Sequence, residues 1–87
     1  YDDQGNYTKA IQSYEKAIEL DPDDAAAYNN LGIAYKAQGN LTKAIESYDK
    51  AIELKPDYAA AYYNLGLVYA KQGNLNNAIE LWEKAIE

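Results

Sequence analysis

Tyr28, Leu31, Gly32 and Tyr35 stand at i, i+3, i+4 and i+7, the spacing of one face of an α-helix. Tyr62, Leu65, Gly66 and Tyr69 repeat that stripe. A second kind of helix follows each: Ala44, Tyr48 and Ala51 share a face, with Ile45 and Ile52 beside it. No segment alternates with period two, so the pattern predicts no strand. Asp23-Asp24 and Asp57 follow Pro22 and Pro56 and are expected as N-caps. Gly5-Asn6, Gly39-Asn40 and Gly73-Asn74 are expected to stop a helix and turn the chain. The predicted helices span residues 7–20, 24–38, 41–54, 58–72 and 75–87. Glycine costs about 1 kcal/mol in a helix interior. Gly32 and Gly66 therefore predict a close approach of a partner helix.

The pattern is a tandem repeat. The Gly-Asn pairs are 34 residues apart. Lys9-Ala10-Ile11, Lys43-Ala44-Ile45 and Asn77-Ala78-Ile79 keep the same spacing, as do Lys16-Ala17-Ile18, Lys50-Ala51-Ile52 and Lys84-Ala85-Ile86. Sliding the first 34 residues onto the next 34 leaves about 24 identities, far beyond chance for one supersecondary unit. Identity that high fits a recent duplication or an engineered array.

Tyr28-x-x-Leu31-Gly32-x-x-Tyr35, then Ala44-x-x-x-Tyr48, then Pro56, resembles the tetratricopeptide repeat, with Tyr where that family prefers Trp at Tyr28 and Phe at Tyr48. The third unit offers Tyr62, Leu65, Gly66, Tyr69, Ala78 and Trp82; the first retains Tyr1, Ala10, Tyr14, Ala17 and Pro22. The resemblance implies an all-α, right-handed α-solenoid of antiparallel helix pairs. Its five helices would run B-A-B-A-B, where A and B are the first and second helix of a unit. One domain, 1–87, would hold a partial repeat (1–24) lacking most of its A helix, a full repeat (25–58) and a nearly full one (59–87).

Composition narrows the function. The net charge is −6, which disfavours nucleic acid and anionic membrane surfaces. No apolar run approaches the roughly 18–20 residues that span a bilayer. There is no Cys, so no disulfide framework is expected, and the composition fits a cytoplasmic protein. The missing initiator Met fits an excised fragment.

Candidate chemistry is sparse. With no His and no Cys, nucleophilic triads and zinc sites lack their parts. No catalytic residue, cofactor or metal is expected. Asp21-Pro22-Asp23-Asp24 lacks the alternating ligands and central Gly of a calcium loop and reads as helix capping. Asn6-Tyr7-Thr8 and Asn40-Leu41-Thr42 match the glycosylation pattern but read as turn and helix start. Glu46 with Lys50, and Glu80 with Lys84, are expected as i, i+4 ion pairs.

Beside the packing stripe, Ala26, Asn29, Ile33, Lys36 and Ala37 form a flank, repeated by Ala60, Tyr63, Leu67, Ala70 and Lys71. A solvated face should not carry Ile33, Tyr63 and Leu67. They either line a binding surface or pack between adjacent A helices. The resemblance implies a concave groove that receives a protein or peptide partner, with Asn30 and Asn64 placed to bond its backbone. The expected groove is Asn29, Asn30, Ile33, Lys36, Tyr63, Asn64, Leu67 and Lys71. Asn29, Ile33, Tyr63 and Leu67 do not suit the Lys-rich clamp that one subfamily uses for a terminal carboxylate.

The ends carry a second expectation. Ala10, Tyr14 and Ala17 should pack on a preceding helix, and Ile79 and Ile86 match Ile45 and Ile52, which a following repeat should cover. Leu81 stands where Ser13 and Ser47 stand in the other units. These six residues predict self-association into a homo-oligomer through the terminal helices, as an alternative to peptide binding.

Overall fold

A computed structural model describes the chain from Asp3 to Ile86, with side chains from Asn6 onward. Five helices follow one another: α1 (Asp3–Leu20), α2 (Ala25–Gln38), α3 (Leu41–Leu54), α4 (Ala59–Lys71) and α5 (Leu75–Ile86). There is no strand among the described residues. Each helix packs on the next, and α2 also touches α4 across the stack. The fold is an all-α helical repeat with A helices α2 and α4 and B helices α1, α3 and α5.

Local chemistry explains most boundaries. Asp24 caps α2, its Oδ1 accepting from the Ala27 amide at 3.3 Å. Asn40 caps α3 in the same way, accepting from the Lys43 amide at 3.3 Å. Gly39 and Gly73 have φ of 93° and 87°, the left-handed region that closes a helix C-terminus and suits glycine. The Asn40 amide then donates back to the Tyr35 carbonyl at 2.9 Å.

Three expectations fail. Asp57 does not cap α4; the cap position is Tyr58, which makes no side-chain bond to the helix. Tyr58 is the 34-residue mate of Asp24, so the acid sits one residue too early. The entry to α4 is held instead by the Tyr62 hydroxyl, which donates to the Pro56 carbonyl at 2.8 Å, and by Lys55, whose Nζ lies 5.1 Å from the centre of the Tyr58 ring. Gly5-Asn6 is not a turn, because α1 starts at Asp3 and runs through it. A glycine caps a helix only when one ends there; in an opening turn it costs at most its propensity of about 1 kcal/mol. Lys50 pairs with Glu53 at 3.4 Å, one turn onward, rather than with Glu46, and no Glu80–Lys84 pair forms among the described residues.

The expected stripes meet. Ala44, Tyr48 and Ala51 are fully enclosed, with Ala61 and Val68 of α4 equally so. Ala44, Tyr48, Leu65 and Val68 form one cluster, against which Leu41, Ile45, Ile52 and Leu81 pack. Ile11, Leu31 and Ala34 form a second between α1 and α2. Gly32 earns its place at the α2–α3 crossing. A Cβ there would lie 2.5 Å from Tyr48 Cε1. Gly66 meets Trp82 similarly, with Cδ1 2.8 Å away.

Candidate functional site

The flank of α2 and α4 forms the site, and the structure divides it. Asn29 is only 5% exposed, because α4 lies over it. Asn64 Nδ2 donates to Asn29 Oδ1 at 3.1 Å, bridging the two A helices. Asn29 thus underlies the surface, and one face of the Asn64 amide is spent on it. Ile33, one turn on from Asn29, is 44% exposed, while Leu67, its repeat mate, is half-buried. Asn30, Lys36 and Asn64 are half-buried and Lys71 is exposed. The two lysines lie in the last turns of α2 and α4, where the helix dipole favours a cation. A half-apolar strip with amides at one end and ammonium groups at the other can hold a polypeptide but has no group to activate a substrate.

Tyr63 is placed differently from the rest. It is the repeat mate of buried Asn29, yet it is 52% exposed. Its ring sits 6.5 Å from that of Trp82, and Trp82 Nε1 donates to the Tyr63 carbonyl at 3.2 Å. Tyr63 therefore belongs to the outer edge of α4 and α5, away from the Asn29–Asn64 bridge.

The terminal residues also separate. Ala10 and Tyr14 are half-buried and pack partly on the Ile11–Leu31–Ala34 cluster, and Ala17 is half-buried. Tyr1 lies outside the described residues. At the other end Ile79 and Ile86 are 50% and 85% exposed. Leu81 is half-buried against the inner cluster. Its slot faces Leu65 and Tyr69 of its own unit, so Leu for Ser enlarges a contact within the pair. Sequence reasoning passed over Leu75, also exposed, although its mate Leu41 packs on the core. The repeat register was the signal that could have found it.

Electrostatics here are structural. The Tyr35 hydroxyl donates to Glu15 Oε2 at 3.3 Å, joining α2 to α1. Burial, then the Glu15 charge, then that hydrogen bond, then Glu46, hold Tyr35 above the ordinary phenol range. Burial alone pushes Tyr48 up to about 12, and it also raises the Asp49 carboxyl. No group of potential metal ligands gathers among the described residues. No helix among them is long and apolar enough to cross a membrane.

Comparison with known proteins agrees with this architecture. The family described as TPR repeat matches residues 1–39 and 34–73, and that described as tetratricopeptide repeat matches residues 60–87. A crystal structure of MamA is 37% identical with a TM-score of 0.88, over 93% of this chain and 47% of that one. MamA 41-end from Desulfovibrio magneticus RS-1 is 31% identical with a TM-score of 0.87, over 93% of this chain and 46% of that one. The second TPR of Spaghetti (RPAP3), bound to the HSP90 peptide SRMEEVD, is 28% identical with a TM-score of 0.87, over 95% and 77%. The chain spans just under half the length of the MamA structures it matches. No curated protein sequence matches it. Repeat register, helix order and these matches together make the chain a member of the tetratricopeptide-repeat family.

Proposed function

We propose that this chain is a non-catalytic protein-interaction module that holds a segment of another protein along the strip between α2 and α4. The observation that carries this reading is the exposure of Ile33 on a helix whose neighbouring flank residue, Asn29, is buried. A branched aliphatic side chain left in water forgoes roughly 1.5–3 kcal/mol of burial. Ile33 and Leu67 supply the apolar contact, and Asn30 and Asn64 set register on a main chain. Asn29 supports Asn64 from beneath. Lys36 and Lys71 favour carboxylates toward one end of the segment.

The RPAP3 repeat domain binds an acidic peptide. This chain has Asn29 and Ile33 in one unit and Tyr63 and Leu67 in the next, where a carboxylate clamp would place Lys and Asn. An apolar internal segment suits it better than an acidic tail. A peptide array probed with the whole chain tests the reading. Leu67→Ala should weaken the retained peptides about ten-fold, a loss of ~1.4 kcal/mol typical of a contact residue, while the melting temperature moves little. Equal damage to affinity and to thermal stability would make Leu67 a core residue and overturn the groove.

A further inference from the structure

The exposed stripe of α5 has two internal counterparts, and both show what covers such a face. Between α1 and α2, Ile11 and Ile18 of the B helix pack on Leu31 and Ala34 of the next A helix. Between α3 and α4, Leu41, Ile45 and Ile52 pack on Leu65 and Val68. Ala27 and Ala61, one turn before the leucines, are buried in both cases. Each B helix thus receives the same knob pattern: Ala at i, Leu at i+4, and Ala or Val at i+7. The third B helix presents the same sockets without an occupant. Ile11 is 8% exposed and Ile45 half-buried, but their mate Ile79 is 50% exposed. Ile18 and Ile52 are half-buried, whereas Ile86 is 85% exposed. Leu41 is half-buried, whereas Leu75 is 58% exposed.

We propose that the Leu75–Ile79–Ile86 face of α5, bordered by Trp82 and Tyr63, docks an amphipathic helix of another polypeptide that carries the Ala-x-x-x-Leu-x-x-Ala/Val stripe. The two helices that fill the equivalent faces define its chemistry further. Both are rich in Ala, carry no acid, and bear a single Lys near the C-terminus, Lys36 in α2 and Lys71 in α4. A neutral or weakly basic helix also suits a chain of net charge −6. A second folded copy of this chain does not offer such a helix, since its α2 and α4 already lie between their own neighbours. The site lies on the outer edge of the stack and is independent of the groove reading.

The test uses the whole chain and a synthetic peptide of residues 57–72, constrained by a side-chain lactam between positions 59 and 63 so that the helix is preformed. Trp82 is the only tryptophan and lies on the face, so its emission reports coverage directly. The peptide should shift that emission to the blue and saturate. A peptide with Leu65→Asp and Val68→Asp should bind at least ten-fold more weakly. Ile79→Asp and Ile86→Asp in the protein should each reduce binding comparably, with helicity by circular dichroism unchanged; Ile86 is exposed enough that its variant folds. No shift with the intact protein overturns the proposal. So does a shift that survives both aspartate variants, or one lost on Ile33→Asp, which would move the peptide to the groove. A blue shift that grows with protein concentration alone, and vanishes in Ile79→Asp, would assign the face to a second copy and overturn it equally.

Discussion

The helix pairs α2–α3 and α4–α5 place equivalent residues in most slots, yet one is closed and the other open. In the inner pair, Tyr48 has no exposed area and its hydroxyl finds no partner. In the outer pair its mate Trp82 is half-buried, and its indole nitrogen bonds to the Tyr63 carbonyl. The difference is α4, which lies on α3, while nothing among the described residues lies on α5. Slot identity decides which residues touch. Position in the stack decides how much water remains and whether a polar atom is satisfied.

The largest contrast should come from removing the two rings. Tyr48→Ala should cost about 3–5 kcal/mol, because a fully enclosed ring leaves a cavity that a packed interface closes poorly. Trp82→Ala should cost distinctly less despite the bigger side chain, since water already reaches part of it. Urea titrations of both variants check this, and equal losses would mean that the end is as closed as the centre.

Next come the glycines. Ala favours a helix over Gly by about 1 kcal/mol, but overpacking costs about 1–3. At Gly32 the obstructing Tyr48 ring is walled in, so Gly32→Ala should lower stability by about 2 kcal/mol. At Gly66 the obstruction is Trp82, which can move outward at the cost of its bond to Tyr63. Gly66→Ala should therefore fall within about 1 kcal/mol of the parent. Thermal melts rank the two, and the reverse order would contradict the packing.

The buried hydroxyl gives a smaller effect of opposite sign. Tyr48→Phe removes a polar atom that has lost water without gaining a partner, and should stabilise by about 1 kcal/mol. It should also change the alkaline limb. The Tyr48 phenol is pushed up to about 12 by burial, above its ordinary value near 10. Folding therefore holds its proton longer than the unfolded chain does. The neutral phenol leaves stability intact below pH 10, and the contribution is lost as the pH climbs from 10 to 12. The Phe variant should decline less steeply across that window; identical slopes would mean that Tyr48 reaches solvent. Smallest of all, Lys50→Ala should change stability by no more than about 0.5 kcal/mol, since the Lys50–Glu53 pair is largely solvated.

Much of this was legible from residue spacing. The 34-residue period gave the helix order, and the propensity penalty of Gly32 and Gly66 pointed to the ring contacts found there. What stayed hidden depends on environment. Asn29 and Tyr63 share a slot, but one lies under α4 and the other at an edge, so a flank drawn from one helix cannot tell support from surface. Asp57 missed the cap by one residue because the Asp pair at 23–24 has only one counterpart. Lys50 chose Glu53 over Glu46 because, with water nearby, the two pairings differ by tenths of a kcal/mol. Leu81 joined the inner cluster because its slot faces inward, which Ser13 and Ser47 concealed by being small and polar.

The central claim is that α3 is covered on both sides and α5 on one. Native-state hydrogen exchange tests it most directly, because backbone amides report opening free energies helix by helix. The amides of Ala44–Ala51 should exchange only through global unfolding. Those of Ala78–Ala85 should exchange through a local opening of lower free energy, independent of the first. Equal protection of the two segments, with matched sensitivity to denaturant, would contradict the account.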